Sequence, residues 1–177
     1  MTIKPFPFVG ILISGLCLGA AGSEIVERRV PMSDRFLDFF ESYCLKPLKT
    51  GTFPDLTHLV RVQITSEDVD FLHPRDGFSL SYTSGSCYVS DELGHFNLER
   101  DRAQLESSLE ELRDTYTPDL PRDHSLEPEW SIGWMEGPTG DPRRWGIFMM
   151  FGAGFSQPLL SITYPEEGPK PPTEFAP

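Results

Sequence analysis

The chain has 177 residues, of which 27 are acidic and 15 are basic, and its formal charge at pH 7 is −12. This excess repels nucleic acid phosphates and anionic lipid headgroups, so we exclude nucleic acid as a partner, whereas a cationic partner would be attracted. The same acidity also keeps a protein soluble, and no run of five or more like charges concentrates the electrostatic field.

The first 22 residues have the three-part layout of a secretory signal peptide. Lys4 precedes an apolar run over residues 6–18, and small residues occupy positions 19–22. The run is shorter than the ~20 residues that a transmembrane helix needs, so we expect no stable membrane span. We predict that residues 1–22 are cleaved, which places the mature chain in the periplasm or outside the cell.

Cleavage decides which cysteines remain. Cys17 is not a lipoprotein cysteine, because Leu16 stands where a small residue is needed, and we predict that it is removed. Cys44 and Cys87 then form the only possible intramolecular disulfide in an oxidising compartment. The alternative is a reactive thiol with a histidine partner, but no cysteine-enzyme signature surrounds either residue.

Residues 33–47 predict the first helix. Ser33 is the expected N-cap, Asp34 lies in the first turn, and Pro47 is expected to end the helix. Its apolar positions at helical spacing are Phe36, Leu37, Phe40, Tyr43 and Cys44. The pattern predicts a largely aromatic stripe that ends at the cysteine.

Residues 59–72 predict one strand and one turn. Val60, Val62 and Ile64 alternate with polar residues, which favours a strand with the three apolar side chains buried, although Pro54 leaves a helix as an alternative. Residues 66–72 predict a single helical turn.

Residues 78–90 predict a hairpin whose two-residue loop is Ser84 and Gly85. The facing pairs are then Thr83 with Ser86, Tyr82 with Cys87, and Leu80 with Val89. This register points Cys87 towards the apolar face and the first helix.

A second, longer helix starts after Asn97, which is its expected N-cap, and ends before Pro118. The apolar positions at helical spacing are Leu98, Leu105, Leu109, Leu112 and Tyr116.

The last third predicts a three-stranded meander from residues 129–135, 144–151 and 158–164. Turns are expected between these strands, over residues 136–144 and 152–157. Residues 165–177 contain five prolines and predict a disordered tail.

No local motif for chemistry is complete. The four histidines, His58, His73, His95 and His124, lack metal-ligand spacing, and no calcium loop, phosphate loop or GxSxG serine motif is complete. We therefore predict no catalytic, cofactor-binding or metal-binding residue.

Trp130 and Trp134 lie on one side of a predicted strand and give either a flat aromatic surface for a ligand or part of the core, and Ile132 between them favours the core.

These observations predict a single α+β domain over residues 23–164. Two helices cover one face of a mostly antiparallel sheet of five to six strands, joined by one disulfide. The layout resembles that of many short bacterial exported proteins, a likeness that rests on no specific motif and implies no activity. The expected function is a non-catalytic binding or accessory module of the envelope or exterior, with a protein or a cationic group as partner. The alternative is an exported hydrolase whose site is assembled from distant segments.

Overall fold

The computed structural model describes residues 30–63, 69–126, 128–152 and 155–172. The predicted signal peptide with Cys17, the predicted inward position of Ile64 and the last five residues of the tail lie outside these ranges. Of the tail, residues 165–172 are described, and Pro171 is buried there, whereas composition predicts disorder. None of the helices in the described ranges is both long enough and apolar enough to cross a membrane.

The first helical segment has three parts: α1 (Met32–Phe40), a π-helical turn (Glu41–Leu45) and α2 (Lys46–Thr50). It begins two residues earlier than predicted, because the carbonyl of Pro31 accepts a hydrogen bond from the Arg35 N–H at 3.2 Å. Ser33 is therefore inside the helix and does not cap it.

Pro47 does not end this segment, which is a second correction. The π-helical turn closes just before Lys46, so Pro47 lies in the first turn of α2, where its missing N–H has no helical partner to lose. The helix ends instead at Gly51, whose φ of 69° lies in the left-handed region that favours glycine.

Seven strands form one sheet in which every neighbouring pair is antiparallel. They are β1 (Val60–Gln63), β2 (Val69–Leu72), β3 (Phe78–Tyr82), β4 (Ser86–Asp91), β5 (Ser131–Glu136), β6 (Trp145–Gly152) and β7 (Phe155–Thr163). Their order across the sheet is β1-β2-β3-β4-β7-β6-β5. The α+β class is confirmed, and the sheet has one or two strands more than predicted.

The hairpin register is confirmed. Tyr82 faces Cys87 and Leu80 faces Val89, and β4 continues the same rows into β7. The predicted disulfide between Cys44 and Cys87 is also confirmed, with a Cα–Cα distance of 5.6 Å. It joins the π-helical turn to a central strand.

Strands β1, β2 and β7 give three further corrections. Val60 and Val62 lie on β1 as predicted, but they are 50% and 41% exposed. They pair with Leu72 and Asp70, on the sheet face opposite the helices, so the alternation is right and the buried side is wrong. Residues 69–72 are strand β2 and not the predicted helical turn, and residues 155–157, predicted as part of a turn, belong to β7.

The second helix, α3 (Leu98–Tyr116), is confirmed with its cap. The Asn97 side chain accepts hydrogen bonds from the N–H groups of Glu99 and Arg100 at 3.1 and 3.3 Å. Leu105 and Leu109 are fully buried between α3 and the sheet. Both helices thus cover the face that presents the hairpin cysteine, and the C-terminal meander β5-β6-β7 completes the core.

Candidate functional site

The π-helical turn meets the sheet through two tyrosines. The hydroxyl of Tyr82 donates to the carbonyl of Tyr43 at 2.9 Å, and the hydroxyl of Tyr164 donates to the carbonyl of Cys44 at 2.8 Å. Burial raises the pKa of both Tyr82 and Tyr164, so both hydroxyls keep their protons. Phe53 contacts both tyrosine rings edge-on. This junction is enclosed, so we interpret it as structural.

A groove runs between the first helical segment and α3, and we call it the helix groove. It has a volume of about 480 Å³. Its lining includes the apolar side chains of Leu37 and Leu112 and the carboxylates of Asp34, Asp38, Glu41 and Glu111. Partial burial, and then the negative charges of Glu41 and Asp34, raise the pKa of Asp38. The groove is therefore a place where a positive charge would relieve repulsion.

A second cavity, the aromatic pocket, lies where α3 ends against the β5-β6 hairpin. Its volume is about 390 Å³, within the ~300 to 1,000 Å³ range of ligand pockets. Its lining includes Leu48, Leu120, Tyr116 and Trp145, with the carboxyl groups of Asp119 and Glu136. Apolar side chains beside a few polar groups are typical of a ligand-binding site.

Hydrogen bonds to glutamate side chains fix both aromatic rings of the pocket. Residues Glu136 and Trp145 face each other across the hairpin, and the indole Nε1 of Trp145 donates to Glu136 Oε2 at 2.9 Å. Tyr116 is the last residue of α3, and its hydroxyl donates to Glu41 Oε1 at 2.6 Å. Burial, followed by this bond, raises the pKa of Tyr116 to about 12. The Nζ of Lys49 lies 4.6 Å from the centre of the Tyr116 ring.

A contact between their lining residues links the two cavities. Thr115 lines the helix groove and Tyr116, the next residue, lines the aromatic pocket. The bond between Tyr116 and Glu41 joins a lining residue of the pocket to a lining residue of the groove. A single extended ligand could therefore contact both.

Two histidine–aspartate pairs lie near the start of β3. The buried carboxylate of Asp91 is 2.7 Å from Nδ1 of the half-buried His95, and it also accepts the backbone N–H of His95 at 2.5 Å. Asp76 accepts a hydrogen bond from Arg35, and its other carboxylate oxygen lies 3.2 Å from Nδ1 of His73. Burial is the main reason that the pKa of His73 is lowered. Asp91 also accepts the N–H groups of Leu93 and Phe96 and so orders its own loop, whereas Asp76 joins its loop to α1 through Arg35.

The remaining histidines do not join these pairs in a metal site. His58 hydrogen bonds to the hydroxyl of Tyr43, and His124 is exposed on the segment after α3. Among the described residues, no group of three or more histidine, cysteine, aspartate or glutamate side chains is arranged to hold a metal ion.

The structure separates the two tryptophans singled out in the sequence. Trp130 is 42% exposed and precedes β5, whereas Trp134 is 3% exposed. The guanidinium groups of Arg113 and Arg122 lie 5.3 and 5.0 Å from the Trp134 ring centre. The two indoles therefore share no exposed surface, and only Trp130 is accessible to a ligand.

Sequence reasoning did not identify Trp145 or Tyr116 as site residues. Each lies at a predicted boundary, Trp145 at the start of a strand and Tyr116 before Pro118. Comparison with known proteins adds no further assignment, since no family model, curated protein or solved structure matches the chain.

Proposed function

We propose that the chain is a small exported binding module of the cell envelope or exterior, without catalytic activity, and that it binds a positively charged segment of a protein partner. The observation that carries this proposal is the junction of the acidic helix groove with the aromatic pocket. The groove provides four carboxylates, and the pocket provides two aromatic rings beside two further acidic residues.

Charge supports a cationic partner. Four carboxylates line the helix groove, and the whole chain carries a formal charge of −12. An exposed ion pair contributes only about 0 to 1 kcal/mol, so affinity requires several such pairs together with an apolar anchor. Long-range attraction additionally raises the association rate at low salt.

Length supports a peptide over a small molecule. The roughly 14 residues from Asp34 to Leu48 correspond to about 21 Å of helix at 1.5 Å per residue. About six residues of extended chain, at ~3.3 Å each, span that distance. A small amine would fill one cavity and leave the other unused.

Neutralising the groove tests the proposal. The probe is a fluorescein-labelled heptalysine peptide, long enough to span both cavities, titrated at low salt and followed by fluorescence anisotropy. The groove variant carries Asp34→Asn, Asp38→Asn, Glu41→Gln and Glu111→Gln. Glutamine at position 41 can still accept the bond from Tyr116. We expect this variant to bind at least tenfold more weakly than the wild type.

A control variant removes the same four charges elsewhere. It carries Glu99→Gln, Glu129→Gln, Glu166→Gln and Glu167→Gln, at exposed positions that line neither cavity. Glu99, like Asp34, lies in the first turn of its helix, so the loss of helix-dipole stabilisation is matched. Equal weakening in both variants would mean that only net charge matters, and the groove would be rejected as the site.

The second candidate function is an exported hydrolase, which the Asp91 and His95 geometry favours. A buried carboxylate that orients a histidine through Nδ1 leaves Nε2 available to take a proton from water. For this function we expect hydrolysis of p-nitrophenyl acetate above the buffer rate, lost in His95→Asn at unchanged melting temperature. Equal rates in both proteins would eliminate it.

A further inference from the structure

Resting on the proposed function, we propose that the aromatic pocket binds an arginine side chain of the partner segment. Its guanidinium group would stack on Trp145 and pair with Glu136, and Lys49 would compete with it from within the chain.

The pocket offers a ring and a carboxylate held together. The hydrogen bond from Trp145 Nε1 to Glu136 Oε2 at 2.9 Å fixes one relative to the other. A carboxylate has lone pairs beyond the one that this bond uses, so Glu136 can still accept from a guanidinium. Asp119 adds a second carboxyl group to the lining. None of the described residues that line the pocket is an arginine.

The same chain shows how an arginine uses such a pair of groups. The guanidinium carbon of Arg102 lies 3.7 Å from the centre of the Phe151 ring, and its Nε donates to Glu106 Oε1 at 2.7 Å. Stacking and carboxylate pairing therefore occur together on one arginine. The aromatic pocket presents an equivalent ring and carboxylate to the outside.

Arginine fits this pair better than lysine for a physical reason. The guanidinium group is planar, weakly hydrated and forked, so it can stack on a ring while it donates sideways to a carboxylate. A lysine ammonium is a compact and strongly hydrated charge, so it makes one of these interactions at a time.

Lys49 lies over the ring of Tyr116, which lines the pocket. Its ammonium group lies 4.6 Å from the Tyr116 ring centre, and its neighbour Leu48 lines the pocket. A guanidinium that enters the pocket would be repelled by this positive charge, since like charges at short range repel. Lys49 is exposed, so its displacement requires only a side-chain rotation.

Two peptides of equal charge test the proposal, heptalysine and the same peptide with arginine at its centre, both measured against the full chain. We expect the wild type to bind the arginine peptide about fivefold more tightly.

Glu136→Gln should reduce this ratio to about one, while glutamine keeps the acceptor for Trp145. Lys49→Ala should raise the affinity for the arginine peptide about threefold, and Lys170→Ala, at an exposed lysine outside the pocket, should leave it unchanged. Thermal unfolding confirms that each variant is folded.

The outcomes separate this inference from the proposed function. If the wild type binds both peptides equally while the groove variant still loses affinity, the arginine anchor is wrong and the groove remains the site. If Glu136→Gln still binds the arginine peptide more tightly than the lysine peptide, the guanidinium binds elsewhere and the inference is wrong. The same conclusion follows if Lys49→Ala does not change the affinity for the arginine peptide. If neither peptide binds at low salt, the proposed function and the inference both fail.

Discussion

At the residue scale, two tyrosine hydroxyls decide how the π-helical turn is held. A π-helical turn shifts the backbone hydrogen-bonding pattern of a helix by one residue. Two consecutive carbonyls, those of Tyr43 and Cys44, accept hydrogen bonds from Tyr82 and Tyr164. Both hydroxyls come from the sheet, so the turn is fixed by tertiary contacts and not by local propensity.

Tyr164→Phe should therefore destabilise the fold by about 1 to 3 kcal/mol, because it leaves the buried Cys44 carbonyl without this partner. Urea denaturation at pH 7 measures the change in the free energy of unfolding. Tyr88→Phe is the matched control, since Tyr88 is a half-buried strand tyrosine on the opposite sheet face. Equal unfolding midpoints for Tyr164→Phe and the wild type would show that the carbonyl finds another partner.

At the scale of elements, the sequence predicts those features that depend only on residues close together in the chain. The cap at Asn97 depends on N–H groups two and three positions away, and the hairpin register depends on a two-residue loop. Both were predictable. The buried side of β1 depends on where the helices lie, and alternation alone cannot carry that information, so Val60 and Val62 were assigned to the wrong face.

The same distinction explains the two elements that were misjudged. Residues 69–72 form a strand because β1 and β3 flank them on both sides, and this pairing overrides a weak local preference. Pro47 is tolerated because the preceding π-helical turn places it in a new first turn. The strand depends on pairing with residues that are distant in sequence, and Pro47 depends on a π-helical turn. Neither can be recognised from the local composition.

The candidate site follows this rule as well. Both strands of the β5-β6 hairpin were predicted, but the long connection between them left the register open, so the pairing of Glu136 with Trp145 was not predictable. The bond from Tyr116 to Glu41 joins two helices that are far apart in sequence. A site built from side chains of three elements has no local sequence signature.

At the scale of the whole molecule, the disulfide joins the two layers. Cys44 belongs to the helical segment and Cys87 to a central strand, and both are fully buried. The closed segment includes β1, β2 and β3, so the cross-link restrains the half of the sheet that has the most exposed edge strand. Because the two cysteines are separated by 43 positions, the chain-entropy model gives the bond about 4 kcal/mol of stabilisation.

The double variant Cys44→Ala, Cys87→Ala tests this contribution. We expect a loss of about 4 kcal/mol or slightly more, since removing two buried sulfurs also leaves a small void. Urea denaturation of the oxidised wild type and the variant measures the difference, and dithiothreitol identifies its source. A reductant should lower the unfolding midpoint of the wild type and leave that of the variant unchanged. Because both sulfurs are fully buried, reduction should also be slow in water and fast in urea, where the core opens. If dithiothreitol does not change the urea midpoint of the wild type, packing alone holds the helix to the sheet. The disulfide would then contribute nothing to the stability of the fold.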